Sequence, residues 1–179
     1  IFTSDGFWNG IDGNGGEGGD YTAPGDADST AGATHTPKPP LTATYAFPAN
    51  TKPFADNRAN TLADVAMYFW KNDLRPDMVN DVPYTNVNLA FWQHMVTFGI
   101  SIGLKGTLDD SDRAALTSGA KAWTDPFTNT TLARIDDLFH ASLNTNGDFV
   151  AATNATEFAK ALKDALVAIS GRIGSSSNV

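Results

Sequence analysis

Four stretches of the sequence carry residue types that could do chemistry. Thr3-Ser4-Asp5-Gly6 sets a carboxylate and a glycine directly after the short apolar start Ile1-Phe2. An Asp at the carboxyl end of a strand can reach Mg²⁺ directly or through a water; the bland alternative is a tightened turn. Asp12-Gly13-Asn14-Gly15-Gly16-Glu17-Gly18-Gly19-Asp20 spaces oxygen side chains among permissive glycines. Asp12, Asn14, Glu17 and Asp20 are therefore candidate Ca²⁺ ligands, although the loop lacks the bidentate Glu of a helix–loop–helix calcium site, and flexible acidic glycine loops are more often solvated than metal-bound. Gly99-Ile100-Ser101-Ile102-Gly103 matches the G-x-S-x-G pattern of a hydrolase nucleophile elbow. That motif needs a sharp strand-to-helix turn at the Ser, whereas two flanking isoleucines favour a strand that continues through Ser101. Asp136-Asp137 with His140 is a possible ligand pair at i,i+3 or i,i+4; the competing reading has both acids facing solvent and His140 complementing the helix's C-terminal half.

Composition narrows the classes. The 179 residues hold 20 Asp+Glu against 12 Lys+Arg, for a net charge of −8. Phosphate binding needs a basic face, so nucleic acid is not an expected partner. There is no cysteine, which excludes disulfides, thiolate metal sites and cysteine nucleophiles. No apolar run approaches the roughly 18 residues of a membrane helix, so no span is expected. The chain opens on Ile1 rather than Met and reads as a mature, trimmed or excised piece.

The elements that must position these residues follow from periodicity. Residues from about 9 to 60 are rich in Gly, Pro, Thr and Asp and read as a long surface excursion anchored at Tyr45, Phe47 and Phe54. Thr61-x-x-Asp64 is a capping-box pattern, and Leu62, Val65, Ala66 and Phe69 recur at helical spacing up to about Leu74, before Pro76. A short helix is expected over 88–94 with Phe91 and Met95 inward, then a strand over 96–103. Helices are expected over 109–120 and 131–143, a turn at Asn146-Gly147, and a strand over 148–152. The last helix should run from Ala155 to about Ile169, capped by Thr153 or Asn154 and stopped by Gly171, with 172–179 a linker or tail. Trp8, Trp70, Trp92 and Trp123 are expected in core or rim packing. With a strand ending at Thr3 the order is β-α-α-β-α-α-β-α, an α/β fold with a mostly parallel sheet covered by helices on both faces.

Several segments together resemble PilY-type pilus-tip adhesin and biogenesis proteins. They are Ser4-Asp5-Gly6-Phe7-Trp8-Asn9, the run from Asn60 to Pro76, Phe91-Trp92-Gln93-His94-Met95-Val96-Thr97-Phe98, and Ala133-Arg134-Ile135-Asp136-Asp137-Leu138-Phe139-His140-Ala141 followed by Gly147-Asp148-Phe149. The matches keep the family's order from Ile1 to about Ile169; residues 11–49 have no counterpart.

The resemblance implies that residues 1–171 are similar to the second half of a three-layer, doubly wound von Willebrand factor A-like domain, interrupted by the 9–60 insertion. Such proteins are exported in bacteria and sit at the tip of type IV pili. They act in adhesion, pilus assembly and twitching motility, with minor pilins and a host or abiotic surface as partners. Related A domains hold Mg²⁺ in an adhesion site built from a D-x-S-x-S motif, a Thr and an Asp. Here only Asp5 carries over, because D-x-S-x-S is absent from the sequence. The expectation is a non-enzymatic binding module whose missing half-domain could come from another chain. Two further readings stand beside it: an α/β hydrolase using Ser101, and a structural filament component joined through an exposed sheet edge.

Overall fold

A computed structural model of the chain describes residues 1–4, 24–85, 88–128 and 131–174. Asp5, Asp12, Asn14, Glu17, Asp20 and Trp8 lie outside these residues. The elements run β1 (Phe2–Ser4), β2 (Thr34–His35), β3 (Tyr45–Ala46), α1 (Leu62–Lys71), β4 (Gly99–Ile102), a 3₁₀ turn (Asp110–Asp112), α2 (Arg113–Ser118), α3 (Thr131–Asn144), β5 (Phe149–Ala152) and α4 (Ala155–Gly174). Strands β1, β4 and β5 form a parallel sheet in that order, with Thr3 opposite Ile100 and Ile100 opposite Val150. Strands β2 and β3 pair separately and antiparallel.

Helix α4 covers one face of the sheet, where Ile100, Ala152 and Ala161 form a small core with Phe158 and Leu162. Helix α3 packs against β4 and β5, and α1 packs on α3 in turn. A second core joins Leu108, Leu116, Phe139 and Leu143 to Phe54, Trp123 and Phe149. A third surrounds α1, where Met67 and Trp70 meet Ala27, Phe47, Ala90, Phe91 and Trp92. The α/β reading with a parallel sheet and helices therefore holds, and the tryptophans described are in core or rim positions.

Helix α1 begins where its sequence says. Thr61 Oγ1 accepts from Asp64 N at 3.1 Å, and Asp64 Oδ2 accepts from Thr61 N at 3.0 Å, a reciprocal capping box. Its buried face is shifted from the expected stripe: Ala63, Asp64, Ala66, Met67, Trp70 and Lys71 are buried, while Leu62, Val65 and Phe69 are half-buried. An apolar count misses that face because two of its members are charged. The helix stops at Lys71 rather than near Leu74, since Asn72 turns extended and Leu74 N donates to Gln93 O.

Other expectations need correction. Residues 88–94 form no helix. Ala90, Phe91 and Trp92 are consecutive and all buried, which no single helix face allows. Their backbone pairs elsewhere, with Val82 N donating to Phe91 O and Met95 N to Phe69 O, and Met95 is exposed. The expected helix over 109–120 is the 3₁₀ turn plus α2, ended by Gly119 at φ 75°. Gly171 does not stop α4, which continues to Gly174, into the expected tail. Asn154 is the cap, its Oδ1 accepting from Glu157 N at 3.0 Å.

The largest correction concerns residues 24–60. This stretch is irregular, and Phe47 is buried with Tyr45 and Phe54 packed nearby, as expected. It is not merely a surface excursion, because Ala27, Asp28, His35 and Ala55 are buried with it. Polar bonds rather than apolar periodicity hold it. Asn60 N donates to Gly25 O, Gly32 N donates to Phe47 O, and His35 stacks on Trp92 at 4.1 Å.

Gly147 follows Asn146, which takes the left-handed conformation at φ 55°, and its N–H donates to Ser142 O at 2.9 Å. A Cβ at Gly147 would collide with the Thr97 carbonyl, a backbone group that cannot swing away. Gly147→Ala should therefore cost about 2 kcal/mol or more in a urea unfolding titration. Gly171→Ala, with nothing within 4 Å of its added Cβ, should instead be neutral or stabilising by up to about 1 kcal/mol. Equal effects would contradict the packing described.

Candidate functional site

The polar residues singled out on α3 are not solvent-facing. Asp136, Asp137 and His140 are all buried, at 1%, 4% and 2% exposure. The reason lies in the layering: α3 has the sheet on one side and α1 on the other, so most of its circumference is covered.

Each of these side chains answers a backbone or hydroxyl group that lacks a regular ladder. Asp136 accepts from Leu108 N at 2.9 Å and from the hydroxyls of Thr107 and Thr124 at 2.5 and 2.8 Å. It thereby fixes the chain after β4 and the approach to α3. Asp137 accepts from Leu62 N at 3.0 Å and Ala63 N at 3.1 Å. Those are first-turn amides of α1, which have no intrahelical acceptor, so one helix caps another. Burial pushes the Asp137 carboxyl up to about 7, against the pull of those two N–H groups. Thr145, just past α3, accepts from Thr97 N at 2.7 Å.

His140 does not complement the end of its helix. Its ring stacks on Trp123 at 3.9 Å between centroids, and its Nε2 lies 2.5 Å from Phe54 O. That contact requires Nε2 to carry the proton, since a carbonyl can only accept. Burial holds the imidazole neutral by driving its pKa down to about 3. Nε2 also lies 3.4 Å from Asp28 Oδ2, and Nδ1 lies 3.8 Å from Asp56 Oδ2.

A group of acids from the irregular segment gathers around this imidazole. Asp28 is fully buried: Oδ1 accepts from Asp56 N at 3.3 Å and Ser29 Oγ at 3.2 Å, and Oδ2 accepts from Asn144 Nδ2 at 3.3 Å. Its carboxyl is pushed up to about 8, first by burial and then by the charges of Asp64 and Asp56. Asp56 rises to about 6, mainly through burial. Asp64 rises as well, for the same first reason, while Oδ1 accepts from Asp28 N at 3.2 Å. Two sets have metal-binding spacing: Asp28, Asp56 and His140, and Asp26, Asp28 and Asp64, each with donor atoms within 4.8 Å of one another.

Sequence reasoning missed Asp28, Asp56 and the burial of Asp64. The capping-box pattern had marked Asp64, and the D-D-x-x-H run had marked His140, but nothing local joins either to Asp28. Lys71 was missed too: it is buried, and its Nζ donates to Ala27 O and to Thr30 O and Oγ1. Ser101 lies inside β4, as the strand reading requires. It is fully buried, and its hydroxyl donates to Leu104 O at 2.6 Å. Asp136, Asp137 and His140, which a hydrolase reading of Ser101 would need as acid and base, have the separate partners given above.

Comparison with known proteins gives a consistent direction. The chain is 32% identical over 151 aligned positions, which cover 70% of its length, to the type IV pilus biogenesis factor PilY1 of Pseudomonas aeruginosa strain UCBPP-PA14. It is 28% identical over 197 aligned positions, 96% of its length, to PilY1 of strain PAK. These relatives are much longer, and the match spans 13% and 15% of them. No family model and no solved structure matches the chain.

Three substitutions probe these contacts. Asp137→Ala removes a buried acceptor from two helix-initial amides and should cost about 2–3 kcal/mol, against a clearly smaller loss for Asp109→Ala at the exposed cap of the 3₁₀ turn, both read by urea denaturation. Ser101→Ala should cost only about 1 kcal/mol, because it deletes one hydroxyl bonded within its own turn. A much larger loss for Ser101 would mean that β4 depends on it in a way its contacts do not reveal.

Proposed function

The chain belongs to the family of PilY1-type type IV pilus biogenesis factors, and on that premise we propose that it is a non-enzymatic binding module acting at the pilus-bearing bacterial surface. In this reading it is the second half of a von Willebrand factor A-like domain, exported to the pilus tip. It serves pilus assembly, surface attachment and twitching motility, with minor pilins and a host or abiotic surface as partners.

The observation that carries the reading is the parallel order β1-β4-β5, with β1 at the edge of the described sheet and Asp5 the residue that follows its last member, Ser4. In open parallel α/β sheets, ligands bind in the crevice beyond the carboxyl ends of the strands. The free side of β1 is where further strands, from this polypeptide or another, would extend the sheet.

The donor set bears on the ion. Asp5 supplies one carboxylate, and Mg²⁺ held through one or two carboxylates keeps open positions for water or a partner's oxygen. A bound ion would contribute a fixed positive charge for a carboxylate on the surface being gripped. Asp5 would orient it, and the remaining protein oxygens would come from beyond these 179 residues, since the sequence has no D-x-S-x-S. The acidic loop with Asp12, Asn14, Glu17 and Asp20 could hold Ca²⁺ as an additional, weaker site.

The test is attachment by the intact pilus protein. Cells carrying it should lose most surface attachment on chelation and recover it with added Mg²⁺, and Asp5→Asn should reproduce the chelated state. Attachment indifferent to both treatments would remove the ion-dependent crevice from the reading, while leaving pilus assembly to be measured by counting surface pili.

A further inference from the structure

We propose that His140, Asp56, Asp28 and Asn144 form a buried site for one divalent transition-metal cation of the Zn²⁺ or Mn²⁺ type, which fastens the irregular segment to α3. The site is separate in its residues from Asp5 and does not rest on the adhesion reading.

The tautomer of His140 provides the first argument. With the proton on Nε2 and directed to Phe54 O at 2.5 Å, Nδ1 presents a lone pair toward Asp56 Oδ2 at 3.8 Å. Two acceptors facing each other in a buried place gain nothing from one another. Their spacing is close to that of two ligands on a common ion, since bonds of about 2.1 Å place neighbouring donor atoms roughly 3–3.5 Å apart. A ligating histidine commonly donates its other ring N–H to a backbone carbonyl, which fixes its orientation. Phe54 O is in that position.

Asn144 provides the second, independent argument. It is fully buried at the C-terminal end of α3, and its Oδ1 has no hydrogen-bond partner among the described residues. Its Nδ2 points instead at Asp28 Oδ2, 3.3 Å away, and at Ala63 O, 3.2 Å away. Oxygen and nitrogen of a side-chain amide exchange places on a half-turn. An ion beside Asp28 makes the exchanged orientation favourable, because the oxygen then faces positive charge. The exchange gives up the two hydrogen bonds that Nδ2 now donates, to Asp28 Oδ2 and Ala63 O, and coordination of the ion by the oxygen is what offsets them.

Charge balance supplies the third. Among the described residues, the cations nearest these acids are engaged elsewhere. Lys71 Nζ is bound to Ala27 and Thr30, Lys52 Nζ to Ala55 O, and Arg58 Nε to Asp125 at 3.0 Å. Asp28 and Asp56 share their surroundings with Asp64, and although Lys71 and Arg58 attract these acids, neither forms an ion pair with Asp28 or Asp56 among the described residues. Buried charges are ordinarily paired or coordinate metals. One imidazole among carboxylate and amide oxygens favours Zn²⁺ or Mn²⁺ over Ca²⁺, which prefers an all-oxygen shell.

The experiment uses the full chain, purified without chelator. Metal content is measured by plasma mass spectrometry, and Zn²⁺ and Mn²⁺ are titrated calorimetrically after dialysis. One tightly held equivalent is expected, with X-ray absorption of the zinc form showing a single imidazole among oxygen ligands and with thermal unfolding moved upward. Asp56→Asn removes a partly accessible ligand at constant volume and should weaken the ion at least about tenfold. Near-ultraviolet circular dichroism checks that the variant keeps its packing. If it does not, the stoichiometry and imidazole signature of the wild-type protein decide alone. Failure to bind either ion, a bound ion lacking imidazole, or an ion that a folded Asp56→Asn variant retains undiminished would overturn the site.

Discussion

Helix α3 is covered by the sheet on one side and by α1 on the other, and the rest of the molecule is organised around that confinement. A helix buried on nearly all sides is normally apolar all round. Here Asp136, Asp137, His140, Ser142 and Asn144 are buried along it. The contradiction resolves once the neighbouring backbone is considered. Irregular segments buried against a core bring N–H and C=O groups that no sheet or helix satisfies, and leaving one unmade costs about 1–3 kcal/mol. Successive α3 residues point about 100° apart, so Asp136 and Asp137 reach different segments. Asp136 serves the chain after β4, and Asp137 serves the start of α1.

What the sequence made legible is what periodicity and capping encode. The Thr61 capping box, the length of α3, the Asn146-Gly147 turn and the strand over 149–152 each depend on residues within a few positions of one another. Burial of residues 24–60 and the path of 88–94 depend on distant partners. Asn144 and Asp28, for example, are 116 positions apart. A Gly-, Pro- and Asp-rich stretch has too little apolar area to mark it as buried, and polar anchoring leaves no repeat to count. The apolar stripe of α1 was displaced for the same reason, because Asp64 and Lys71 belong to its buried face.

The same logic separates Asp5 from the acids around His140. Asp5 stands out in the sequence because the end of a parallel strand is a position with a general geometric meaning. The acids around His140 do not, because none of them lies at a position that a local rule distinguishes. The run Asp136-Asp137-x-x-His140 was visible as a spacing, which fits either a ligand pair or solvent-facing acids with His140 at the helix end. In the fold they diverge, with two acids capping and bracing backbone while His140 turns to a separate acidic group. Helical proximity thus describes which side chains share a face, and the surrounding layers determine which of them share a function.

The acidic group around His140 also separates two ways of neutralising buried carboxylates. A proton is the simpler: with its carboxyl raised to about 8, Asp28 in the ion-free chain holds one at neutral pH. That proton cancels a single charge and can serve a single acceptor. It leaves Asn144 Oδ1 without a donor, and it cannot satisfy both Asp28 and the facing pair of Asp56 Oδ2 and His140 Nδ1. A divalent cation addresses all of these acceptors at once, because its attraction is not confined to one direction. The unmatched oxygen of Asn144 and the opposed acceptors of His140 and Asp56 therefore distinguish the two states better than charge alone. They also explain why an irregular segment would be fastened here, where Asp28 and Asp56 come from two turns of that segment and His140 and Asn144 from the helix beneath it.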